Sequence, residues 1–108
     1  MKLIIAILQS IDEDHTIKAL VKAGYRVTRA ASTGGFFRQG NTTLMTGVED
    51  HQVEEVMAIL RRTCKQRTRL LPASPDPIEP ISMWMPTVEV PVGGATVFIL
   101  DVARFEQF

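Results

Sequence analysis

Six consecutive apolar residues, Leu3-Ile4-Ile5-Ala6-Ile7-Leu8, stand in a chain of 108, and no other feature constrains the fold as strongly. Successive side chains of a strand point to opposite faces, so a strand over residues 2–9 presents Ile and Leu on both sides. That pattern belongs in the middle of a covered sheet or at a contact between subunits. The run is far shorter than the ~18–20 residues of a membrane-crossing helix. It meets polar Gln9 and Ser10 without a small-residue cleavage site, which predicts neither a membrane span nor export. A chain of this length is expected to form one domain, 1–108, and to bury only about two thirds of its unfolded surface, so self-association is expected.

The remaining segments read in order. Ser10 and Glu13 have the spacing of a capping box; Ile17, Leu20, Val21 and Gly24 then recur at helical spacing, predicting a helix over about 12–23 that Gly24 ends. Residues 25–33 are extended, and Gly34-Gly35 interrupts them. A strand follows over 41–49. Asp50 is placed to cap a second helix, whose stripe is Val53, Val56, Met57, Leu60 and Cys64. All six prolines come after position 71, four of them within residues 72–80, predicting a long proline-rich loop over about 65–83 whose length suggests a functional, ligand-ordered segment. Strands near 86–91 and 95–102 close the chain around Gly93-Gly94. The order β-α-β-β-α-β with an added strand is that of an α+β ferredoxin-like sandwich, with two helices on one face of an antiparallel sheet.

Twelve bases balance twelve acids, yet nine of the bases fall in two places, Lys22, Arg26, Arg29 and Arg38, and then Arg61, Arg62, Lys65, Arg67 and Arg69. With no net charge the chain is a poor candidate for coating a nucleic-acid polymer, whereas the first cluster suits a local pocket for a small anion. The second also suits the negative end of a helix dipole near Cys64. One cysteine supports neither an internal disulfide nor a metal cluster, and a cytoplasmic address is the default.

Residues 28–47, T-R-A-A-S-T-G-G-F-F-R-Q-G-N-T-T-L-M-T-G, hold five threonines, four glycines and two adjacent aromatics. Paired glycines allow successive N–H groups to converge on phosphate oxygens, although a plain hairpin turn uses the same pair. Phe36 and Phe37 beyond them call for a cover, either a purine or a neighbouring subunit. Gly35 and Gly40 have the spacing of a P-loop, but Asn41 stands where its lysine is required, which argues against nucleotide hydrolysis. His51 is spaced to share a metal with Glu54 (i, i+3) or Glu55 (i, i+4), but a third ligand beyond such a pair is missing and a solvated helix face is the simpler reading. His15 reads as a solvated helix residue and Cys64 as a core thiol. Ser32-Thr33 has no histidine near it in sequence. Trp84 either anchors the end of the loop in the core or covers a ligand or partner.

The start K-L-I-I-A-I-L-Q, the block R-x-T-x-x-A-S-T-G-G-F-F-R-Q-G-N-T-T-L-M-x-G-V-E-D and the end V-E-V-P-V-G-G-A-T-V-F-I-L-D-V-A-R-F-E-Q-F together resemble the PII-like cyclic-di-AMP receptor family. The resemblance runs along nearly the whole chain. It implies a bacterial signal-transduction protein without catalysis, cofactor or metal: a homotrimer that holds cyclic-di-AMP in three clefts between subunits and passes the signal to a downstream partner. It places Arg26 and Thr28 on the strand entering the cleft. Gly35 and Phe36 offer N–H groups to a phosphate, and the Phe36 and Phe37 rings border the bases. Asn41 and Gly47 read the deeply held adenine, Phe98 packs near the ligand, and Gln107 closes over it. A PII-like sensor of another adenine nucleotide is the first alternative. A ferredoxin-like RNA-binding module is the second, but RNA readers of this order stack bases on aromatics in the central strands, and the first strand has none.

Overall fold

In the computed structural model, which describes residues 1–32, 40–72 and 87–108, β1 (Lys2–Gln9) leads into α1 (Glu13–Lys22), β2 (Thr28–Ser32) and β3 (Asn41–Val48). Then come α2 (Val53–Thr63), β4 (Arg67–Pro72), β5 (Thr87–Val92) and β6 (Ala95–Asp101). The main sheet has the order β2-β3-β1-β6 with every neighbouring pair antiparallel. This is compatible with the ferredoxin-like α+β sandwich expected from the sequence. β1 lies inside the sheet, and period-2 alternation divides it. Ile4, Ala6 and Leu8 meet Leu44 and Val48 of β3 and Leu20, Val56, Ile59 and Leu60 of the helices in one core. On the opposite face, Leu3 and Ile5 align with Leu100 and Phe98 of β6, which remain 44% and 48% exposed. The two-faced apolar strand therefore has one covered face and one partly open one.

The helices follow the expected periodicity, with differences at their ends. Gly24 stops α1 as read: its φ is +96°, and its N–H and that of Tyr25 return to the carbonyls of Val21 and Leu20. Val21, expected in the apolar stripe, is exposed, and Thr16 is buried in its stead, with its hydroxyl 3.4 Å from the Cys64 sulfur. Cys64 is a buried thiol, as expected. The Ser10–Glu13 capping box does not form. The Ser10 N–H donates to the Gly40 carbonyl, and Glu13 reaches sideways to Arg29 and Thr42. Nor does Asp50 cap the second helix; the box is made by Glu49 and Gln52 one residue earlier. In each case the spacing is present, but tertiary partners or a 3-10 turn ahead of the helix take the side chain.

The largest departure lies in the stretch read as loop. Residues Arg67–Pro72 are a strand, paired antiparallel with Thr87–Val92 as a separate two-stranded ribbon. Arginines alternating with other residues carry no burial signal, and the pairing partner is about 20 positions away, so local composition hides it. Pro91 fits because a ribbon has an outer edge where a missing N–H is harmless. Gly93 and Gly94, at φ +84° and +83°, turn the chain from the ribbon back into the sheet. A Cβ on Gly93 would lie 2.5 Å from the Lys65 carbonyl oxygen, so no other residue fits.

Glu13 supplies a pH prediction. The Arg29 guanidinium, followed by the Thr42 hydroxyl at 2.9 Å, holds its carboxyl below the usual carboxylate range. A carboxyl with a lower pKa folded than unfolded contributes stability above the ordinary range, and that contribution is lost as pH falls through the folded value. Urea unfolding of Glu13→Gln is expected to show a shallower loss of stability between about pH 5 and 3 than the parent.

Candidate functional site

The open face of the sheet carries the expected binding residues in two groups. Thr28 lies opposite Met45, and Gly47 is two residues further along β3. Beside them an open hollow of about 520 Å³ is lined by Arg26, Thr28, Met45 and Gly47 together with Phe105 and Gln107 of the C-terminal tail. The tail reaches this place because β6 ends next to the start of β1, where the Val102 N–H donates to the Met1 carbonyl. Four of the residues singled out in the sequence thus converge. Phe105, Glu106 and Met45 were not singled out; an aromatic in the same short tail as Gln107 was the available signal.

The chemistry of the hollow suits an anion with an apolar body. Arg29, Arg67 and Arg104 are each paired with a carboxylate, respectively Glu13, Asp12 and Glu106. Arg26 has no such partner among the described residues. Of the expected cluster from Lys22 to Arg38, Arg29 pairs with Glu13 and is not among the residues lining the hollow, while Arg38 lies outside the described residues. Gly47 is also telling. It has no positive φ, and a Cβ built on it meets nothing within 4 Å, so neither its backbone nor packing among the described residues demands a glycine there.

The second group sits at the far end of β3. Asn41 is its first residue and pairs with Gln9 on the last rung of the β1–β3 ladder. Asn41 and Gly47 are six positions apart, a distance of about 20 Å along a strand. Two ends so far apart cannot hold one adenine from the same protomer. Phe98 lies between them on β6, opposite Ile5. Gly35, Phe36 and Phe37, the Gly34-Gly35 nest, Trp84 and most of the proline-rich segment lie outside the described residues.

The other sequence candidates resolve as follows. His15 is not merely solvated: its Nε2 is 2.7 Å from the Thr63 carbonyl oxygen and 3.2 Å from an Asp12 carboxylate oxygen. Among the described residues no group of three or more His, Cys, Asp or Glu side chains is placed to hold a metal. None of their helices is long and apolar enough to cross a membrane. The central strands β1 and β3 carry no aromatic residue, so the stacking platform of an RNA reader is missing there.

The model of the cyclic-di-AMP receptor family matches residues 1–108, the entire sequence. This chain belongs to the cyclic-di-AMP receptor family. It is also similar to a crystal structure of a functionally unknown protein from Pediococcus pentosaceus, with 36% identity over 99% of this chain and 96% of that one and a TM-score of 0.78. Membership in a receptor family fits a hollow in which Arg26 has no carboxylate partner among the described residues. As a family member the chain is a cyclic-di-AMP-binding signalling protein, with PII-like character consistent with that assignment.

Proposed function

We propose that the chain acts in the cytoplasm as a non-enzymatic PII-like sensor, one domain per subunit, whose homotrimer holds cyclic-di-AMP in clefts between protomers. The observation that carries this reading is the separation of Asn41 from Arg26, Thr28 and Gly47 by the length of β3. A cleft formed by the far end of one protomer and the near end of its neighbour brings the two groups to one ligand; a single protomer does not. The open apolar face with Ile5 and Phe98 supplies a contact surface for such an assembly. In the cleft, Arg26 balances phosphate charge and Thr28 meets an adenine edge. Asn41 pairs with the adenine amino group and ring nitrogen, while Gly47 leaves room for the base. Gly35 and Phe36 contribute phosphate contacts, Phe36, Phe37 and Phe98 aromatic cover, and Gln107 closes the site.

Calorimetric titration with cyclic-di-AMP, ATP and single-stranded RNA tests the ligand class; preference for ATP would assign the site to another adenine nucleotide. Arg26→Ala is expected to weaken cyclic-di-AMP binding by roughly 1.5–3 kcal/mol through loss of a charge-assisted bond. Asn41→Ala should reduce discrimination between adenine and guanine as well as affinity. Trimers assembled from an equal mixture of the two variants should regain tight binding in about a quarter of their clefts, since one intact cleft forms in each mixed trimer. No regained sites would place both residues in one protomer's site and remove the intersubunit reading.

Gly47→Ala separates a ligand role from a structural one. A strand glycine replaced by alanine gains about 0.5–1 kcal/mol of stability where space allows, and the space is open here. The variant is expected to melt no lower than the parent yet to bind cyclic-di-AMP more weakly, as read by thermal unfolding and calorimetry together.

A further inference from the structure

A two-stranded ribbon is marginal by itself in water, so the β4–β5 ribbon depends on what holds its base. Three polar ties converge there from outside the ribbon. The Gln9 Oε1 accepts the Gly93 N–H at 2.6 Å. The Asp12 carboxylate, wholly buried, accepts from Arg67 Nη2 at 2.9 Å and lies 3.2 Å from His15 Nε2. The Cys64 carbonyl, at the end of α2, accepts the Gly94 N–H at 2.5 Å. Gly93 is fixed as well by the Lys65 carbonyl, against which any side chain would clash.

One of these ties leads back to the binding site. Gln9 and Asn41 are directly opposite each other on the last rung of the β1–β3 ladder, and both are almost wholly buried, at 6% and 4% exposure. Beyond it the Ser10 N–H bond to the Gly40 carbonyl closes the strand end, and a rung so near the end of its ladder opens at lower free energy than one in the interior. A ligand held by Asn41 closes that rung, and the closed rung presents the Gln9 amide to Gly93.

We infer that Gln9 is a positioning residue that joins the Asn41 end of the site to the β4–β5 ribbon, with Asp12 as the fixed second anchor, so that occupancy of the site and order of the ribbon are coupled. This rests on Asn41 being a ligand contact, as proposed above. The direction of information is reciprocal by linkage: a ribbon held in place by another protein strengthens nucleotide binding by the factor that nucleotide orders the ribbon. The ribbon thereby becomes the element on which a downstream partner reads the ligand.

Hydrogen exchange on the full chain, with and without cyclic-di-AMP, tests this. In the free protein Gln9→Leu removes the acceptor, and exchange across residues 87–92 should quicken about tenfold, the factor set by one ordinary hydrogen bond. With nucleotide, the parent ribbon should gain protection. In Gln9→Leu the nucleotide should still protect the strand at 41–48 while the ribbon no longer responds. Unchanged exchange of the core strand at residues 4–8 shows that the variant is folded. Equal ribbon exchange in the free parent and free Gln9→Leu overturns the anchor; equal nucleotide protection of the ribbon in both overturns the coupling. Failure of the parent to bind cyclic-di-AMP would instead sink the functional reading and the coupling drawn from it, while the free-protein comparison still decides the anchor.

Discussion

Arg67→Ala is expected to lower the stability of the fold by about 3 kcal/mol, as much as truncating a large core side chain to alanine. The reason lies with its partner. Asp12 is completely buried, whereas Arg67 is 41% exposed, so truncating the arginine removes little buried surface but leaves the carboxylate in a dry site with His15 as its one remaining ion-pair partner among the described residues. An orphaned buried charge carries most of its desolvation cost. The same interaction raises the Arg67 pKa, chiefly through its hydrogen bond to Asp12, so the guanidinium stays charged at every accessible pH. Adding Asp12→Asn to Arg67→Ala should recover part of the loss, because the neutral amide no longer demands a counter-charge. Denaturant unfolding of the two single variants and the double variant measures this. A double variant as unstable as the sum of the two singles would mean the pair is not coupled.

Ile5→Asp should abolish both the assembly and nucleotide binding while leaving the protomer folded. Ile5 stands at the middle of the open face, between Met45 of β3 and Phe98 of β6, and does not line the hollow at the Arg26 end. In an isolated protomer its side chain is partly exposed and a carboxylate there meets water. In a trimer that uses this face, three unpaired carboxylates would be buried, each costing several kcal/mol. Light scattering should therefore change from trimer to monomer, and calorimetry should lose the cyclic-di-AMP signal in the same variant, with an unchanged far-ultraviolet dichroism spectrum. Retention of the trimer would move the subunit contact to another surface. Retention of binding by a monomer would overturn the two-protomer cleft.

The parts of this molecule that depend on local physics were legible in the residues. The apolar run 3–8 dictated an internal strand, because a strand apolar on both faces has no stable place at a sheet edge in water. The 3.6-residue recurrence of Val53, Val56, Met57, Leu60 and Cys64 dictated a helix with one buried face, and Gly24 its neighbour's end, because only glycine enters positive φ without cost. The motif blocks around residues 26–50 and 88–108 likewise sufficed to indicate the receptor family. Contacts over long sequence separation were decided only by the tertiary structure. Glu13 has the spacing of a capping residue, yet Arg29 and Thr42 claim it, since a charged partner across the fold outweighs a backbone N–H nearby. Arg67 reads as one more base at a helix end, and nothing local says that it is the counter-charge of Asp12, 55 positions earlier. Residues 67–72 have no strand pattern of their own and become a strand because 87–92 offers them a ladder. Asn41 and Gly47 look like neighbours in a motif, but a strand rises about 3.3 Å per residue, and that rise alone puts them at opposite ends of β3, too far apart for one protomer to present both to a single adenine.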